Sequence, residues 1–264
     1  MNKYWALYKI NFQKTIAYRA STLIGSLGDF VDTFVFMFVW LVIFGEKQAI
    51  GGFSLSETIT YLLGIGIIAS IARSWIQYDL PSDVKSGNLS GFMMKPYSYP
   101  VMRAIHDLAE RPLEIILRVI TYLTIGFLLK GTFIINTDIG ILLLFAISIT
   151  FAFLISYLIG FIFGCYTIWM TENAGLVNTY WSIAMVFSGG YAPLTFFPHW
   201  FQVIANLLPF AYTRYFPMLI YLKKISGLEI LKGIGVQIVW IILLYFLARF
   251  LWKKGIKKYE GVGI

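Results

Sequence analysis

The residues that could do chemistry in this sequence are charged side chains inside apolar stretches. Asp29 and Asp32 lie three residues apart in one such stretch, and Arg73 lies near the end of the next. Two carboxylates at this spacing suggest the magnesium site of a membrane phosphotransferase. Such a site needs further acidic ligands nearby, and the flanking residues supply none. We therefore predict no metal ligand here.

The same charges are costly in a membrane unless they have partners. A charge at the centre of a membrane helix costs about 2.5 to 3.5 kcal/mol on insertion scales. Glu110, Glu114 and Arg118 follow at four-residue spacing, at which Glu114 and Arg118 can form an ion pair along a helix. We predict an intramembrane charge layer; the alternative is that the side chains reach the interface as simple anchors. The predicted layer consists of Asp29, Asp32, Arg73, Glu114 and Arg118.

The sequence carries no signature of an ATPase, a zinc protease or a serine hydrolase. The phosphate loop G-x-x-x-x-G-K-[ST] is absent, and the pair Lys85 and Ser86 has no preceding glycines. Neither H-E-x-x-H nor a nucleophile elbow occurs, and His106 and His199 are solitary. We predict no catalytic residue, no metal site and no cofactor in the chain itself.

Composition indicates what must position these charges. Hydrophobic residues make up 59 % of the chain and charged residues 13 %, which is typical of an integral membrane protein. Apolar stretches near the length needed to cross a hydrocarbon core of roughly 30 Å recur throughout. We predict one all-α integral membrane domain over residues 1–264. Its six predicted spans are 23–44, 57–77, 112–129, 139–166, 174–188 and 229–252.

The net charge of +8 is explained by the membrane topology of the chain. Basic residues cluster at the ends of apolar stretches and form no continuous stripe for nucleic acid. By the positive-inside tendency, basic residues before the first span and after the last place both termini in the cytoplasm, which requires an even number of spans. These residues are Lys3, Lys9, Lys14 and Arg19, and Lys253, Lys254, Lys257 and Lys258.

An amphipathic segment, residues 1–22, precedes the first span. Trp5, Tyr8, Phe12 and Ile16 fall on one face at helical spacing. We predict an interfacial helix along the cytoplasmic headgroups. The alternative is a cytosolic start to the first span.

The segment 189–227 is apolar but interrupted by prolines. Proline breaks helices, and irregular backbone at membrane depth must be covered by protein or line a water-filled cavity. We predict two short re-entrant or interfacial helices on the outer side. The interrupting residues are Pro193, Pro198, Pro209 and Pro217.

The segment 79–100, DLPSDVKSGNLSGFMMKPYSYP, is polar and lies between the second and third spans. Asp79 can cap a helix, Pro81 suits its first turn, and Gly87 can end it. A helix of two turns is marginal in water by itself, so packing or a partner must hold it. The alternative is an ordinary cytoplasmic loop.

Two stretches resemble the permease subunits of bacterial ABC-2 type transporters: SGNLSGFMMKP, and FSGGYAPLTFFPHWFQVIANLLPFAY before the last span. The resemblance implies a coupling helix seated in a groove of a separate ATP-binding subunit, present in two copies and carrying ATP and Mg²⁺. It also implies a second permease chain, identical or related, in the bacterial cytoplasmic membrane. The implied coupling residues are Pro81, Ser82, Asp83, Val84, Lys85, Ser86 and Gly87.

The abundance of aromatic and methionine side chains indicates the chemical nature of the cargo. They favour an amphipathic or lipophilic cargo, such as a drug-like molecule, a lipid or a peptide. The resemblance implies that such a cargo is exported by alternating access. Glycan export is the family alternative, with Tyr180, Trp181, Tyr191 and Trp200 as sugar platforms. A carrier driven by an ion gradient is a further alternative, but it gives the coupling helix no role.

Small residues predict two close helix contacts. Gly160 and Gly164 lie four residues apart in the fourth span, and Gly25 and Gly28 lie three apart in the first. Small residues at such spacing let helix backbones approach closely in membranes.

Overall fold

The computed structural model describes residues 3–128, 133–170 and 174–259 and consists mainly of helices. A small antiparallel hairpin pairs Ile50 with Phe53. In chain order the elements are α1 (Lys3–Ala17), α2 (Arg19–Phe44), β1 (Ala49–Ile50), β2 (Phe53–Ser54), α3 (Leu55–Ala72), α4 (Ile76–Lys85), α5 (Asn88–Met93), α6 (Tyr99–Leu128), α7 (Ile139–Tyr166), α8 (Ala174–Phe187), α9 (His199–Leu207), α10 (Tyr215–Tyr221) and α11 (Leu228–Lys258).

The chain is an all-α membrane protein. Among the described residues, three segments are long and apolar enough to cross a membrane: Leu55–Lys85, Ile139–Tyr166 and Leu228–Lys258. Two shorter apolar segments lie in α2 and α8. α7 has the bounds predicted for the fourth span, whereas Leu129, the predicted end of the third, lies outside the described residues.

Side-chain caps explain where two long helices begin. At the start of α3, Ser54 Oγ accepts from the Glu57 N–H at 3.2 Å, and the Ser54 N–H donates to Glu57 Oε2 at 2.8 Å. This capping box satisfies backbone groups that the helix leaves free. At the start of α7, Asp138 accepts from the N–H groups of Gly140 and Ile141. Local sequence therefore sets both helix starts.

α7 is the central helix, packed against α4, α10 and α11. The fully buried Gln237 of α11 donates to the Ser148 carbonyl at 3.0 Å and accepts from Ser148 Oγ at 3.2 Å. It also donates to the Tyr212 carbonyl at 2.9 Å. Because a buried amide without partners costs about 1 to 3 kcal/mol, these bonds favour one register between α7, α11 and the proline-rich segment.

The proline-rich segment 189–227 folds as short helices. A 3₁₀ turn, Leu194–Phe196, precedes α9, and a second, Pro209–Thr213, joins α9 to α10. Pro193 and Pro198 each stand directly before a helical turn. At such positions the missing N–H of proline removes no intrahelical bond. The position of these helices relative to a membrane stays a prediction.

α1 lies along α6. The rings of Trp5 and Tyr8 stack with centroids 5.4 Å apart, and those of Tyr8 and Phe12 with centroids 6.1 Å apart. These residues therefore share the face that the sequence predicted. None of the described residues of α1 is buried, which is the exposure expected of a helix at a membrane surface.

The boundary between the second predicted span and the coupling helix differs from the prediction. α3 ends at Ala72 and α4 begins at Ile76, so the predicted span 57–77 contains a break in the helix. Asp79 does not cap the helix, because Trp75 precedes its first turn. The reason is tertiary: side chains of α6 satisfy a break in the backbone that the local sequence does not reveal.

Candidate functional site

Two polar side chains of α6 hold the break between α3 and α4. Asp107 Oδ2 accepts from Ser74 Oγ at 2.6 Å and from the Trp75 N–H at 3.4 Å. Arg111 donates to the Arg73 carbonyl. Asp107 and Arg111 are buried. Two backbone groups of the interruption, the Trp75 N–H and the Arg73 carbonyl, therefore have side-chain partners on α6.

Arg103 of α6 fastens α4 to α6. Its guanidinium lies 3.3 Å from Asp79 Oδ2 and also contacts Asp83 Oδ2. Tyr99 Oη donates to the same oxygen of Asp83 at 2.5 Å, and its ring stacks on Trp252 of α11 with centroids 5.5 Å apart. Asp83 is only 5 % exposed, so its carboxylate makes its contacts inside this chain.

The predicted coupling residues divide into an inward set and an outward set. Pro81 and Asp83 are buried, and Val84 and Gly87 are half-buried. Gly87 has the left-handed backbone that the prediction required, with φ of +73°, whereas Pro81 lies in the helix interior and not in its first turn. Partner binding stays a prediction. The exposed members are Ser82, Lys85 and Ser86.

α4 lies directly against α7 at two glycines. A Cβ at Gly164 would lie 3.1 Å from the Ile76 carbonyl oxygen and 3.2 Å from Leu80 Cβ. A Cβ at Gly160 would lie 2.5 Å from the side-chain oxygen of Gln77. The predicted small-residue contact is therefore present, and its partner is α4.

The glycine pair of α2, Gly25 and Gly28, does not form the close helix contact that the pair of α7 forms. A Cβ at Gly25 or Gly28 would meet no atom within 4 Å among the described residues. Both glycines are exposed, since α2 presents this part of its surface outward. The predicted close contact at this pair is therefore wrong within the described chain.

Three predicted members of the charge layer line one cavity of about 760 Å³: Asp32 of α2, Arg73 after α3 and Arg118 of α6. Arg214, directly before α10, lines the same cavity. The side chain of Asp29 lies outside the described residues. We refer to this space as the arginine cavity. Its aromatic wall is formed by Phe36, Trp75, Tyr78, Trp181 and Tyr191.

A second cavity, of about 610 Å³, lies between α1 and α6, and we refer to it as the α1–α6 cavity. Its wall includes Lys14 and Glu110. Arg73, Trp75 and Arg118 line both cavities. These three residues therefore form a shared boundary between the two spaces.

Glu114 has a different partner from the one predicted. Its Oε2 accepts from Arg111 Nη1 at 3.0 Å, because Arg111 lies three residues earlier on the same helix face. Arg118 Nη1 lies 3.4 Å from Tyr122 Oη. Glu114 lines the α1–α6 cavity. The predicted layer is thus divided between two cavities.

Two carboxyl groups of α6, before the third predicted span, have raised pKa values. Burial raises the pKa of Glu110 to about 7, and the charges of Glu114 and Asp107 add to the effect. Burial also raises the pKa of Asp107 to about 6, although the Ser74 hydrogen bond and the Arg111 charge oppose it. Both groups therefore titrate near neutral pH.

The Glu110→Gln variant is expected to be more stable than the wild type above neutral pH and equally stable in acid. The folded pKa of Glu110 lies above its unfolded value, so its contribution is present at low pH and is lost as the pH rises through 7. Variant and wild type should melt together below about pH 4, where Glu110 is protonated in both states, and the variant about 2 to 4 °C higher at pH 8.5. Thermal melting in detergent measures this, with the exposed Glu46→Gln as control. Identical melting at pH 8.5 would contradict the raised pKa.

One group of side chains could hold a metal ion by distance alone. Ligand atoms of Asp79, His106 and Asp107 lie within 4.8 Å of one another. Asp79 already pairs with Arg103, and Asp107 already accepts from Ser74. Because a guanidinium beside the group opposes a second cation, these donors fit a hydrogen-bond network better than a metal site. The absence of a metal site stays a prediction.

The family of the chain follows from comparison with known sequences. A family model described as ABC-2 family transporter protein matches residues 30–263. The chain belongs to the ABC-2 transporter family. No curated protein matches it. Membership makes this ABC-2 protein a membrane subunit that works with an ABC ATP-binding subunit and is not itself an ATPase.

Four site residues of this ABC-2 protein were missed by sequence reasoning: Arg103, Asp107, Arg111 and Arg214. The first three lie in the polar segment 102–111, just before the third predicted span. Their spacing indicates a common site, because residues four apart in the sequence share one face of a helix. Arg214 is a single basic residue in an apolar, aromatic segment, and such an isolated charge is itself an indication of function.

Proposed function

We propose that this ABC-2 protein is the transmembrane permease subunit of a bacterial ATP-driven exporter. Its six spans lie in α2, α3, the part of α6 from about Pro112 onward, α7, α8 and α11, and both termini lie in the cytoplasm. Two ATP-binding subunits, which carry ATP and Mg²⁺, and a second permease chain complete the transporter. The cargo is an amphipathic or lipophilic molecule moved across the cell membrane by alternating access.

The packing of α4 is the observation that carries this proposal. Arg103 ties α4 to α6, and Gly160 and Gly164 bring it against α7. A partner that displaces α4 therefore acts on two long helices at once. The outward residues of α4 and its end, Ser82, Lys85 and Ser86, are free to meet such a partner.

The arginine cavity supports an amphipathic cargo. Its volume of about 760 Å³ lies within the roughly 300 to 1,000 Å³ typical of small-molecule sites. Aromatic side chains and guanidinium groups line it together. A molecule with one apolar part and one polar part matches such a wall.

The docking role of α4 predicts a loss of binding without a loss of stability. Lys85→Glu reverses an exposed charge, so it should weaken association with the ATP-binding subunit about tenfold and leave the melting temperature unchanged. Co-purification from membranes and thermal melting measure the two effects. Lys47→Glu, an equally exposed reversal in the β1–β2 region, is the control and should retain wild-type binding. Full association of the Lys85→Glu variant would remove this face of α4 as the docking surface.

Transport itself tests the proposal against a carrier driven by an ion gradient. The complex reconstituted in vesicles should accumulate a fluorescent amphiphile only when ATP is supplied. If the purified chain alone moves the amphiphile on a proton or sodium gradient, the carrier interpretation replaces ours.

A further inference from the structure

A third cavity, of about 260 Å³, lies between α3, α6, α7 and α10, and we refer to it as the apolar cavity. Its wall includes Leu63 and Ile67 of α3 and Val119 and Leu123 of α6. None of its described lining residues is charged, and none of them lines the arginine cavity or the α1–α6 cavity. The apolar cavity therefore has a wall and a chemistry of its own.

The inner wall of the apolar cavity is formed in part by the fully buried Met218 of α10. A Cβ at Gly64 would lie 2.4 Å from Met218 Sδ, so the missing side chain at Gly64 lets the thioether lie directly on α3. Methionine has three rotatable bonds and adapts its shape to what lies against it. This part of the wall is therefore both apolar and adjustable.

The hydroxyl groups of the described wall already have partners within the protein. Thr60 Oγ1 accepts from the Ile134 N–H at 2.8 Å. Tyr221 Oη donates to the Ile134 carbonyl at 3.3 Å. Tyr122 Oη accepts from Arg118 Nη1 at 3.4 Å. A buried water needs about two to four polar partners, so this wall fits an apolar occupant better than water.

The cavity adjoins the exposed apolar face of α6. Ile116, Ile120 and Leu123 are 55 %, 56 % and 56 % exposed, and their spacing of four and three residues places them on one face of the helix. Leu123 also lines the cavity, as do the exposed Ile134 and Ile135. This part of α6 is a proposed span, in which an exposed apolar face meets the hydrocarbon of the bilayer.

The size of the cavity favours a bound hydrocarbon. An apolar cavity of roughly 150 Å³ is already large enough for benzene, and the apolar cavity measures about 260 Å³. Lipid tails are as apolar as leucine, so a tail gains no hydrophobic energy when it leaves the bilayer for the cavity. It gains dispersion contacts, which the wall of an empty cavity lacks. A flexible chain can follow such a wall.

We infer that the apolar cavity binds one acyl chain of a membrane lipid, which completes the packing between α3 and α6. The inference rests on the proposed span in α6 and is independent of ATP-driven export. A chain in this cavity also contacts α7 and α10 through Phe145 and Met218. The lipid is therefore a structural component that joins four helices, and not a cargo in transit.

Photolabelling of the full chain tests the inference. The probe is phosphatidylcholine with a diazirine in one acyl chain, present as a trace in phosphatidylcholine nanodiscs, and mass spectrometry locates the label. Leu63 and Ile68 are both buried residues of α3, but Ile68 is not among the described lining residues. Labelling of Leu63 should exceed that of Ile68 at least about tenfold, because only the cavity admits a chain. Equal labelling of the two residues would overturn the inference.

A variant that fills the cavity should exclude the lipid. Val119→Phe places a ring where the chain would lie, so labelling of Leu63 should fall about tenfold. Ile120→Phe places the same ring on the exposed face of α6 and should leave this labelling unchanged. Cooperative melting in detergent shows that a variant is folded, and Leu123→Trp at the exposed edge replaces Val119→Phe if that variant misfolds. Undiminished labelling of Leu63 in a folded filled variant would reject the inference.

Two further outcomes concern other occupants of the cavity. If the fluorescent amphiphile used in the transport assay removes the label from Leu63, the cavity belongs to the cargo and the structural lipid is rejected. If the exposed Ile116 and Ile120 carry no label, α6 does not face lipid, and the proposed span fails together with the inference. A labelled exposed face beside an unlabelled cavity would reject the inference alone and leave the proposed function standing.

Discussion

Replacing Arg103 by methionine is expected to lower the free energy of unfolding by about 3 to 5 kcal/mol. Arg103 is the cation shared by Asp79 and the buried Asp83, and without it a carboxylate stays buried and unpaired. The variant should also lose the ATP-binding subunit, because α4 no longer keeps its orientation on α6. Thermal melting in detergent and co-purification of the complex measure the two losses.

Two further variants separate the causes of this loss. Arg103→Lys keeps the positive charge but removes the planar guanidinium that reaches two carboxylates at once. An intermediate loss of stability is therefore expected. Asp79→Asn with Asp83→Asn in the Arg103→Met background should restore much of the stability, because no unpaired charge remains. A wild-type melting temperature for Arg103→Met alone would show that this network contributes nothing to stability.

Gly164→Val is expected to separate ATP hydrolysis from transport. The added side chain meets the Ile76 carbonyl oxygen and Leu80 Cβ, both already within 3.2 Å of a Cβ, so α4 must move away from α7. Overpacking of this kind costs about 1 to 3 kcal/mol. We expect the reconstituted complex to hydrolyse ATP while cargo no longer stimulates hydrolysis and transport falls at least about tenfold.

Gly235→Val in α11 is the matched control. A Cβ at Gly235 meets nothing within 4 Å among the described residues, so the same substitution should leave transport and stimulation intact. If Gly164→Val also transports at the wild-type rate, the contact between α4 and α7 has no part in coupling.

The elements that the sequence predicted well have local causes. The fourth span was predicted with the bounds of α7, because an unbroken apolar run follows a capping aspartate, Asp138. The short helices of the segment 189–227 follow from the prolines at 193 and 198, each of which stands directly before a helical turn. Gly87 adopts the predicted left-handed backbone because glycine pays no steric penalty there.

The parts that sequence reasoning missed depend on residues far away in the chain. Two backbone groups of the break after Ala72, the Trp75 N–H and the Arg73 carbonyl, find their partners in Asp107 and Arg111, more than thirty residues later. The docking role given to Asp83 assumed an exposed side chain, and no local pattern reveals that Arg103 buries it. Pairing between helices depends on how they pack, and that information is absent from the spacing within one helix.

The interruption between α3 and α4 also determines how force travels through the protein. The helical ladder stops between Arg73 and Trp75, so a torsion applied to α4 does not pass along a common axis into α3. We expect it to pass sideways into α6, through Asp107 and Arg111 and through the contacts of Arg103 with α4. In an exporter, each power stroke of the ATPase would then turn the third span before the second. The stiffness of these side-chain contacts would decide how much of the motion of α4 reaches α6.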